Sequence, residues 1–172
     1  MATMGYPSRE GAGACLPNVN EGETFRMRIV IASDHAGFCQ KDVIADCVRS
    51  LGHEVEDLGP ATADRVDYPD YADKVARAVA EGKADRGILI CGTGLGMAMT
   101  ADKVAGIRAA AITSVEFSKL FREHNDGNVL CLSGRFVAPM DNCAIVKAFL
   151  TTDFGGGRHA CRVEKIMRED NC

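Results

Sequence analysis

The chain has 172 residues, of which 47% are hydrophobic and 26% are charged, and its formal net charge is −4. This length fits one domain with a single sizeable core. A mildly acidic chain lacks the basic surface that nucleic-acid binding requires. No apolar run approaches the ~18 residues needed to span a bilayer. We therefore expect neither a nucleic-acid partner nor a membrane partner.

The first 26 residues differ in composition from the rest of the chain. They are rich in Gly, Pro, Asn and Glu and show no apolar period. We interpret 1–26 as a loose N-terminal extension before a domain at 27–172, and we expect its deletion to leave activity intact. The extension also lacks the apolar core of a secretory signal. A cytoplasmic location is therefore expected.

Beyond residue 26, short apolar runs alternate with stretches of helical periodicity. The runs carry few charges, as expected of strands covered on both faces of a parallel sheet. They lie at 27–32, 53–58, 87–91, 107–112 and 128–132, and helices are predicted at 43–51, 69–79, 117–124, 139–150 and 158–169. Five strand–helix repeats indicate an α/β fold with right-handed crossovers. The last helix is expected outside the sheet or against a partner subunit.

Two loops follow predicted strands at the position where open α/β sheets bind ligands. Ser-Asp-His-Ala-Gly follows the first strand at 33–37, and Cys-Gly-Thr-Gly-Leu-Gly follows the third at 91–96. A glycine-rich turn into a helix can present backbone N–H groups to an anion, although it can also be a tight turn without a ligand. Its glycines do not match the G-x-G-x-x-G spacing of a dinucleotide site. No nucleotide cofactor is predicted.

Cys91 ends the third predicted strand directly before the glycine-rich turn. The N-terminus of a helix favours a thiolate, whereas the alternative for Cys91 is a small buried hydrophobic residue. The chain has eight cysteines in total, several of them inside apolar runs, and contains no Cys-x-x-Cys. Their number lies below the ~8–10% of residues that is typical of disulfide scaffolds. The other seven are predicted to be structural thiols, with no disulfide framework and no zinc site.

The remaining polar clusters indicate a small phosphorylated ligand. His-Asn-Asp-Gly-Asn at 124–128 crowds a short helix–strand connection, although a lone histidine there can also be a cap or a packed ring. Arg158 and Arg162 are four residues apart and could clamp a phosphate from one helix face, or they form a solvated basic edge. Arg135 follows the fifth strand and supplies a third cation. His35 and the glycine-rich turn complete this set.

Seven motifs, in order over 27–168, resemble those of type B ribose-5-phosphate isomerases, a group that includes the galactose-6-phosphate isomerase subunits. They are Ser-Asp-His-Ala-Gly (33–37), Val-Asp-Tyr-Pro-Asp-Tyr-Ala (66–72), Ile-Cys-Gly-Thr-Gly-Leu-Gly-Met (90–97), Lys-Val-Ala-Gly-Ile-Arg-Ala-Ala (103–110), His-Asn-Asp (124–126), Ser-Gly-Arg (133–135) and Gly-Gly-Arg-His…Arg-Val-Glu-Lys-Ile (156–166). The extension has no counterpart in this pattern.

The resemblance implies a Rossmann-like three-layer sandwich with a five-stranded parallel sheet, and a homodimer, with a tetramer as a further possibility, whose active sites are shared between subunits. It implies no metal and no organic cofactor. The implied reaction interconverts ribose 5-phosphate and ribulose 5-phosphate through a cis-enediolate, in the non-oxidative branch of the pentose phosphate pathway. Such chemistry requires a base and N–H donors where negative charge develops.

The resemblance also implies roles for individual residues. Cys91 is the base, and Thr93 and His124 assist opening of the sugar ring. The substrate-binding residues carried over by position are Asp34, His35, Gly92, Gly94, Leu95, Gly96, Asn125, Arg135, Arg158 and Arg162. The glycine-loop amides and Asn125 stabilise the enediolate, Asp34 holds hydroxyls, and the histidine and arginines of this set hold the phosphate.

Two alternatives stay open from the sequence. The same chemistry could act on another sugar phosphate, such as allose or galactose 6-phosphate or a tetrose phosphate. A non-catalytic sugar-phosphate-binding module is the second alternative, although such a module does not need the Cys91, Thr93 and His124 set. One departure is Asp102, where relatives often carry Asn; we expect its carboxylate to face solvent.

Overall fold

The structure is a computed structural model that describes residues 26–171; the predicted extension at 1–26 therefore lies, apart from Arg26, outside the described residues. Five strands and six α-helices alternate through the described part of the chain. The strands are β1 (Arg28–Ser33), β2 (Glu54–Asp57), β3 (Arg86–Cys91), β4 (Ala109–Ala111) and β5 (Val129–Ser133). The helices are α1 (Phe38–Ser50), α2 (Tyr68–Ala80), α3 (Leu95–Ala101), α4 (Val115–Asn125), α5 (Pro139–Thr151) and α6 (Ala160–Arg168).

The strands form one sheet in the order β2-β1-β3-β5-β4, and every neighbouring pair is parallel. The register pairs Ser33 with Ile90 and Cys91 with Ser133. The three central strands therefore end side by side, at what we call the carboxyl edge of the sheet. The opposite edge, where the strands begin, is the amino edge. The predicted five-stranded parallel sheet is confirmed.

Alternating strand residues divide the core between the two faces of the sheet. In β1, Ile29 and Ile31 pack under α1, α4 and α5, whereas Val30 and Ala32 pack under α2 and α3. Both sets are almost fully buried. Covering both faces explains why these runs are apolar throughout rather than alternating. The three-layer arrangement that the family resemblance implied is therefore confirmed.

The C-terminal segment differs from its prediction. A 3₁₀ turn occupies Gly157–His159, and α6 begins only at Ala160 rather than at residue 158. Gly156 and Gly157 have φ values of +58° and +53°, which delay the start of the helix because this backbone conformation is not α-helical. No residue of α6 is buried. Within residues 26–171, no helix is long and apolar enough to cross a membrane.

Candidate active site

Three loops at the carboxyl edge bring together nine of the thirteen predicted site residues. Asp34 and His35 directly follow β1, Cys91 ends β3, and Arg135 comes two residues after β5. Backbone hydrogen bonds tie these loops to one another: Asp34 N–H donates to Ile90 O at 3.0 Å, and Gly134 N–H donates to Cys91 O at 2.7 Å. The carboxyl ends of β1, β3 and β5 therefore form one continuous rim.

Cys91 lies at the end of β3 with its side chain turned toward the face covered by α2 and α3, where it is 5% exposed. Its Sγ accepts the backbone N–H of Gly94 at 3.1 Å. Gly94 precedes α3 with a φ of +81°, a conformation that a residue with a side chain adopts only at a cost. This left-handed glycine folds the turn back onto the thiol and aims its N–H at the sulfur.

The other residues of the glycine-rich turn are more exposed. Thr93 is exposed, and its Oγ1 accepts the backbone N–H of Leu95 at 3.3 Å. The Leu95 side chain is 61% exposed. Gly92 O accepts the Ser133 hydroxyl at 2.9 Å and the backbone N–H of Arg135 at 3.3 Å. The turn is thus fixed by backbone contacts while Thr93 faces outward.

Asp34 and His35 have different surroundings. Both hydrogen bonds to the Asp34 carboxylate use Oδ1, which accepts Ala36 N–H at 2.8 Å and Gly37 N–H at 3.0 Å. Asp34 Oδ1 therefore stabilises the backbone of the loop that follows β1. The Nδ1 atom of His35 is buried and has no hydrogen-bond partner among the described residues. Such a ring nitrogen is suited to a polar ligand.

Arg135 runs along the glycine-rich turn. Its Cδ lies 3.5 Å from the position that a Cβ on Gly92 would occupy, and its side chain is exposed. The arginine therefore packs along the residue that follows Cys91. An exposed guanidinium at a strand end is well suited to an anionic group.

The remaining predicted residues lie at the amino edge. His124 and Asn125 form the end of α4, directly before β5 begins. Asn128 O accepts Gly87 N–H at 2.9 Å, which places this connection beside the start of β3. Four residue steps of β5 separate it from the carboxyl edge, about 13 Å along the strand. Within one chain, His124 and Cys91 are therefore not brought together.

The two C-terminal arginines lie near His124 rather than near Cys91. The rings of His124 and His159 stack with a centroid separation of 4.2 Å and an interplanar angle of 5°. Arg158 Nε lies 3.5 Å from His159 Nε2. Arg158 belongs to the 3₁₀ turn and Arg162 to α6, so the prediction that one helix carries both is wrong. The positive φ values of Gly156 and Gly157 are the physical reason.

The connection that carries His124 is held by charged hydrogen bonds. Asp126 has a φ of +47°, and its carboxylate contacts Arg122 at 2.9 Å and Arg108 at 3.0 Å. Arg108 also donates to the backbone oxygen of Asn125 at 3.2 Å. Two guanidiniums on one carboxylate stabilise a backbone conformation that is costly for a non-glycine residue.

A cavity of about 530 Å³ lies between α6, α4 and the start of β4. Ile166 of α6 lines it and is 47% exposed. Asp102 also lines it; the residue is exposed, but its Oδ1 accepts Ala109 N–H at 2.7 Å, so the carboxylate does not simply face solvent as expected from the sequence. Partial burial of the carboxylate removes part of its hydration and raises the pKa of Asp102. Among the described residues, no group of three His, Cys, Asp or Glu is placed to hold a metal ion.

One neighbour of the glycine-rich turn was not identified from the sequence. Tyr68 opens α2, and its ring lies 2.6 Å from the position of a Cβ on Gly96. Gly96 is therefore needed because the tyrosine ring fills the space of a side chain. Tyr68 is 40% exposed, so its phenol reaches the surface beside the turn. The 66–72 motif contains this residue, but the sequence alone does not show what it faces.

These features define an α/β protein of the Rossmann-like class with a candidate ligand site, which includes the Cys91 thiol, at the carboxyl edge of its sheet. A family model described as Ribose/Galactose Isomerase matches residues 29–166. The chain therefore belongs to the ribose/galactose isomerase family, and the resemblance of the seven motifs is confirmed.

Individual relatives agree with this assignment. The chain is 47% identical over 142 residues to a probable ribose-5-phosphate isomerase B of Mycoplasma genitalium, covering 81% of this chain and 93% of that protein. The solved structure of Clostridium thermocellum ribose-5-phosphate isomerase B is similar with a TM-score of 0.83 and 48% identity, over 84% of this chain and 98% of that one. The Mycoplasma genitalium enzyme with bound ribulose-5-phosphate has a TM-score of 0.81 and 46% identity, over 84% and 96%.

Proposed function

We propose that this chain is an aldose–ketose isomerase that interconverts D-ribose 5-phosphate and D-ribulose 5-phosphate. Family membership and the relatives named ribose-5-phosphate isomerase B support the reaction class. A relative that is 46% identical binds ribulose-5-phosphate. The observation that carries the proposal is the Cys91 thiol at the end of β3, with the Gly94 N–H donating to its sulfur.

The chemistry begins once the sugar is in its open-chain form. Cys91, as the thiolate, takes the proton from C2 of the aldose; the electron pair of that C–H bond forms the C1–C2 double bond, and the carbonyl electrons move to O1. In the resulting cis-enediolate the proton of the C2 hydroxyl moves to O1, which becomes the C1 hydroxyl of the ketose. An electron pair of O2 then forms the C2 carbonyl while the electrons of the C1–C2 double bond take the proton back from the Cys91 thiol at C1, which completes the ketose and restores the thiolate.

Negative charge on the enediolate oxygens needs donors that are already in place. The backbone N–H groups of the 92–96 turn are the donors we assign to this role, joined by Asn125 from the second copy of the chain in the homodimer inferred below. The turn is held rigidly by the left-handed Gly94 and by the bonds to Gly92 O. Donors that do not have to reorganise stabilise a transition state more than flexible ones do.

The remaining roles follow the positions of the side chains. Thr93 and His124 would assist ring opening by moving a proton between the ring oxygen and the anomeric hydroxyl. Asp34 would hold sugar hydroxyls. The phosphate would be held by cations and a ring nitrogen, supplied by His35, Arg135, Arg158 and Arg162. Phosphate binding far from the reacting carbons orients them for proton transfer.

The two edges of the sheet favour a site built from two copies of the chain. Cys91, Asp34 and Arg135 lie at the carboxyl edge, whereas His124 and Arg158 lie at the amino edge. About 13 Å along a strand is too far for one pentose phosphate to touch both sets in the same chain. We infer a homodimer in which one subunit's amino-edge residues reach the partner's Cys91. A two-fold interface of this kind creates two identical sites.

A substrate panel tests the proposed activity. The kcat/KM of the purified chain is measured for ribose, allose, galactose and erythrose phosphates under the same conditions. Ribose 5-phosphate is expected to rank first. If a hexose or tetrose phosphate ranks higher, the proposed substrate is wrong, although the proposed aldose–ketose isomerisation still stands. No turnover of any of them, with retained phosphate binding, would favour a binding module.

A further inference from the structure

A buried group of amide and hydroxyl side chains lies directly beneath the carboxyl edge. Gln40 is in the first turn of α1, directly after the loop that carries His35. Asn142 is in the first turn of α5, directly after the loop that carries Arg135. Gln40 is 7% exposed and Asn142 is fully buried. We refer to Gln40, Asn142 and Ser133 as the amide network.

The amide network grips the Arg135 loop from both sides. Gln40 Nε2 donates to Gly134 O and to Val137 O, each at 3.0 Å. These two carbonyls bracket Arg135 in the chain. Asn142 Nδ2 donates to Gln40 Oε1 at 2.9 Å and to Ser133 O at 3.0 Å. The two amides thus fix each other and the backbone on either side of the arginine.

The same network reaches the turn that carries the thiol. The hydroxyl of Ser133 donates to Gly92 O at 2.9 Å and accepts Phe136 N–H at 3.0 Å. The backbone N–H of Arg135 adds a bond to Gly92 O at 3.3 Å. The loops after β1, β3 and β5 are therefore joined through buried polar groups rather than through apolar packing alone.

Buried amides of this kind hold their partners in one arrangement. Each amide nitrogen donates two hydrogen bonds, whereas Asn142 Oδ1 is buried without a partner among the described residues. Breaking a donor contact would leave another buried polar group unpaired at a cost in free energy, so these contacts resist rearrangement. A side chain whose backbone is already fixed loses less conformational freedom on binding a ligand. Arg135 is itself exposed, so its placement depends on this backbone support.

We propose that Gln40 and Asn142 are positioning residues that set the affinity of the site for the substrate phosphate by holding the Arg135 loop against Gly92. The proposal rests on the proposed function, in which Arg135 binds that phosphate. Both amides are buried, so we expect neither to touch the substrate. Their effect is therefore expected in binding rather than in the proton-transfer step, because the Cys91 Sγ contact with Gly94 does not involve them.

The test compares Gln40→Met with Ser118→Ala. Methionine keeps the length of the side chain and removes both donors. Ser118→Ala also removes a buried hydrogen bond, to Ile145 O at 2.8 Å, but it lies between α4 and α5 and touches none of the three loops. The measurements are the Kd of inorganic phosphate by calorimetry, and kcat and KM for ribose 5-phosphate.

Gln40→Met is expected to raise both the phosphate Kd and the KM by about tenfold or more, with kcat within about twofold of wild type. Ser118→Ala is expected to change neither constant. An unchanged Kd and KM in folded Gln40→Met would overturn the proposal, as would an equal rise in Ser118→Ala. If Gln40→Met does not fold, Asn142→Ser takes its place, because it removes the link between Gln40 and Ser133. A raised phosphate Kd and KM in that variant would support the proposal, and unchanged values would overturn it.

The phosphate measurement separates this proposal from the proposed function. A wild-type chain that does not turn over ribose 5-phosphate contradicts the isomerase assignment. The ratio of phosphate Kd values between Gln40→Met and wild type still decides the role of the amide network, because inorganic phosphate needs no sugar.

Discussion

Cys91 and Cys131 are buried thiols on adjacent strands, and both belong to the apolar cluster under α2 and α3. Cys131 lies in the middle of β5, where complete burial, with Cys91 nearby, raises the pKa of its thiol well above the usual value. It therefore stays protonated. Cys91 lies at the strand end, where the Gly94 N–H donates to its sulfur. Position along the strand thus separates the proposed base from a packing residue.

Cys91→Ser tests the assignment of the base. Serine keeps the size of the side chain but is a far weaker acid, so turnover is expected to fall by about 10²–10⁴. A phosphorylated hydroxamate, which mimics the enediolate, should still bind to the variant by calorimetry. Cys39→Ser, at an exposed position away from the turn, is the matched control. Wild-type turnover in Cys91→Ser would remove the thiol from the mechanism.

Arg158→Ala tests the phosphate clamp. Loss of a charge-assisted contact is expected to raise the KM for ribose 5-phosphate by roughly ten- to a hundredfold. Steady-state kinetics on purified protein measures it. Arg49→Ala, at another exposed arginine that pairs with Asp46, should leave KM unaltered. A KM equal to that of wild type would place Arg158 away from the phosphate.

His53 gives a pH dependence of stability whose direction follows from its surroundings. Partial burial and the positive charge of Arg86 lower the pKa of His53 below its usual 6.5. Its Nδ1 accepts the N–H of Met27 at 3.4 Å, which needs the neutral ring. Between the folded and unfolded pKa values the unfolded chain binds more protons, so stability falls as the pH falls through this window.

We expect His53→Gln to lose less stability than wild type between pH 7 and pH 5, because it carries no group that titrates there. Urea unfolding followed by circular dichroism at the two pH values measures the difference. The same loss in both proteins would show that His53 does not contribute to the acid sensitivity.

At the level of elements, the connection between α4 and β5 depends on Asp126. Its left-handed backbone is paired with Arg122 and Arg108, and the Arg122 side chain is only 7% exposed. Asp126→Ala is expected to lower the free energy of unfolding by about 2–4 kcal/mol, because it leaves a buried guanidinium unpaired and keeps the strained backbone.

Asp126→Asn is expected to cost less, since asparagine tolerates the left-handed conformation and can still accept a hydrogen bond. Asp46→Ala, which removes an exposed ion pair of α1, should have a much smaller effect. Urea unfolding ranks the three variants. If Asp126→Ala were no worse than Asp46→Ala, the pairing would not stabilise this connection.

The strand–helix order could be predicted from the sequence because apolar runs and helical spacing report directly on burial. The bounds could not be predicted everywhere. The run at 107–112 becomes a strand of three residues, Ala109–Ala111, because Arg108 is drawn to the Asp126 connection. The last helix starts late because two consecutive glycines adopt positive φ. Both differences come from tertiary contacts or backbone angles, and the spacing of apolar residues along the sequence gives no information about either.

At the level of the whole molecule, the predicted site residues divide between two edges of one sheet. The motifs identified Cys91, Asp34 and Arg135, because residues after parallel strands meet at one edge. They could not reveal Gln40 and Asn142, because polar residues in the first turn of a helix normally face water. The position of His124 at the opposite edge follows from the helix–strand order, because a helix that leads into a parallel strand ends where that strand starts.

A mixing experiment tests whether two chains share each site. Cys91→Ser and His124→Asn are each expected to be nearly inactive. Unfolded together in equal amounts and refolded, they should regain about a quarter of wild-type activity, since half of the dimers are mixed and each mixed dimer has one intact site. Separately refolded proteins, mixed afterwards without exchange, are the control. No recovery in the co-refolded sample would place each site within one chain.

The uneven burial of the cysteines has a chemical consequence for the molecule in a cell. Among the described cysteines, Cys39 and Cys161 are exposed, whereas Cys91 is only 5% exposed beneath the glycine-rich turn. Because a bulky electrophile reaches an exposed thiol more easily than an enclosed one, Cys39 and Cys161 are expected to be modified before Cys91. A reagent meant to modify Cys91 has to be small enough to pass beneath the glycine-rich turn.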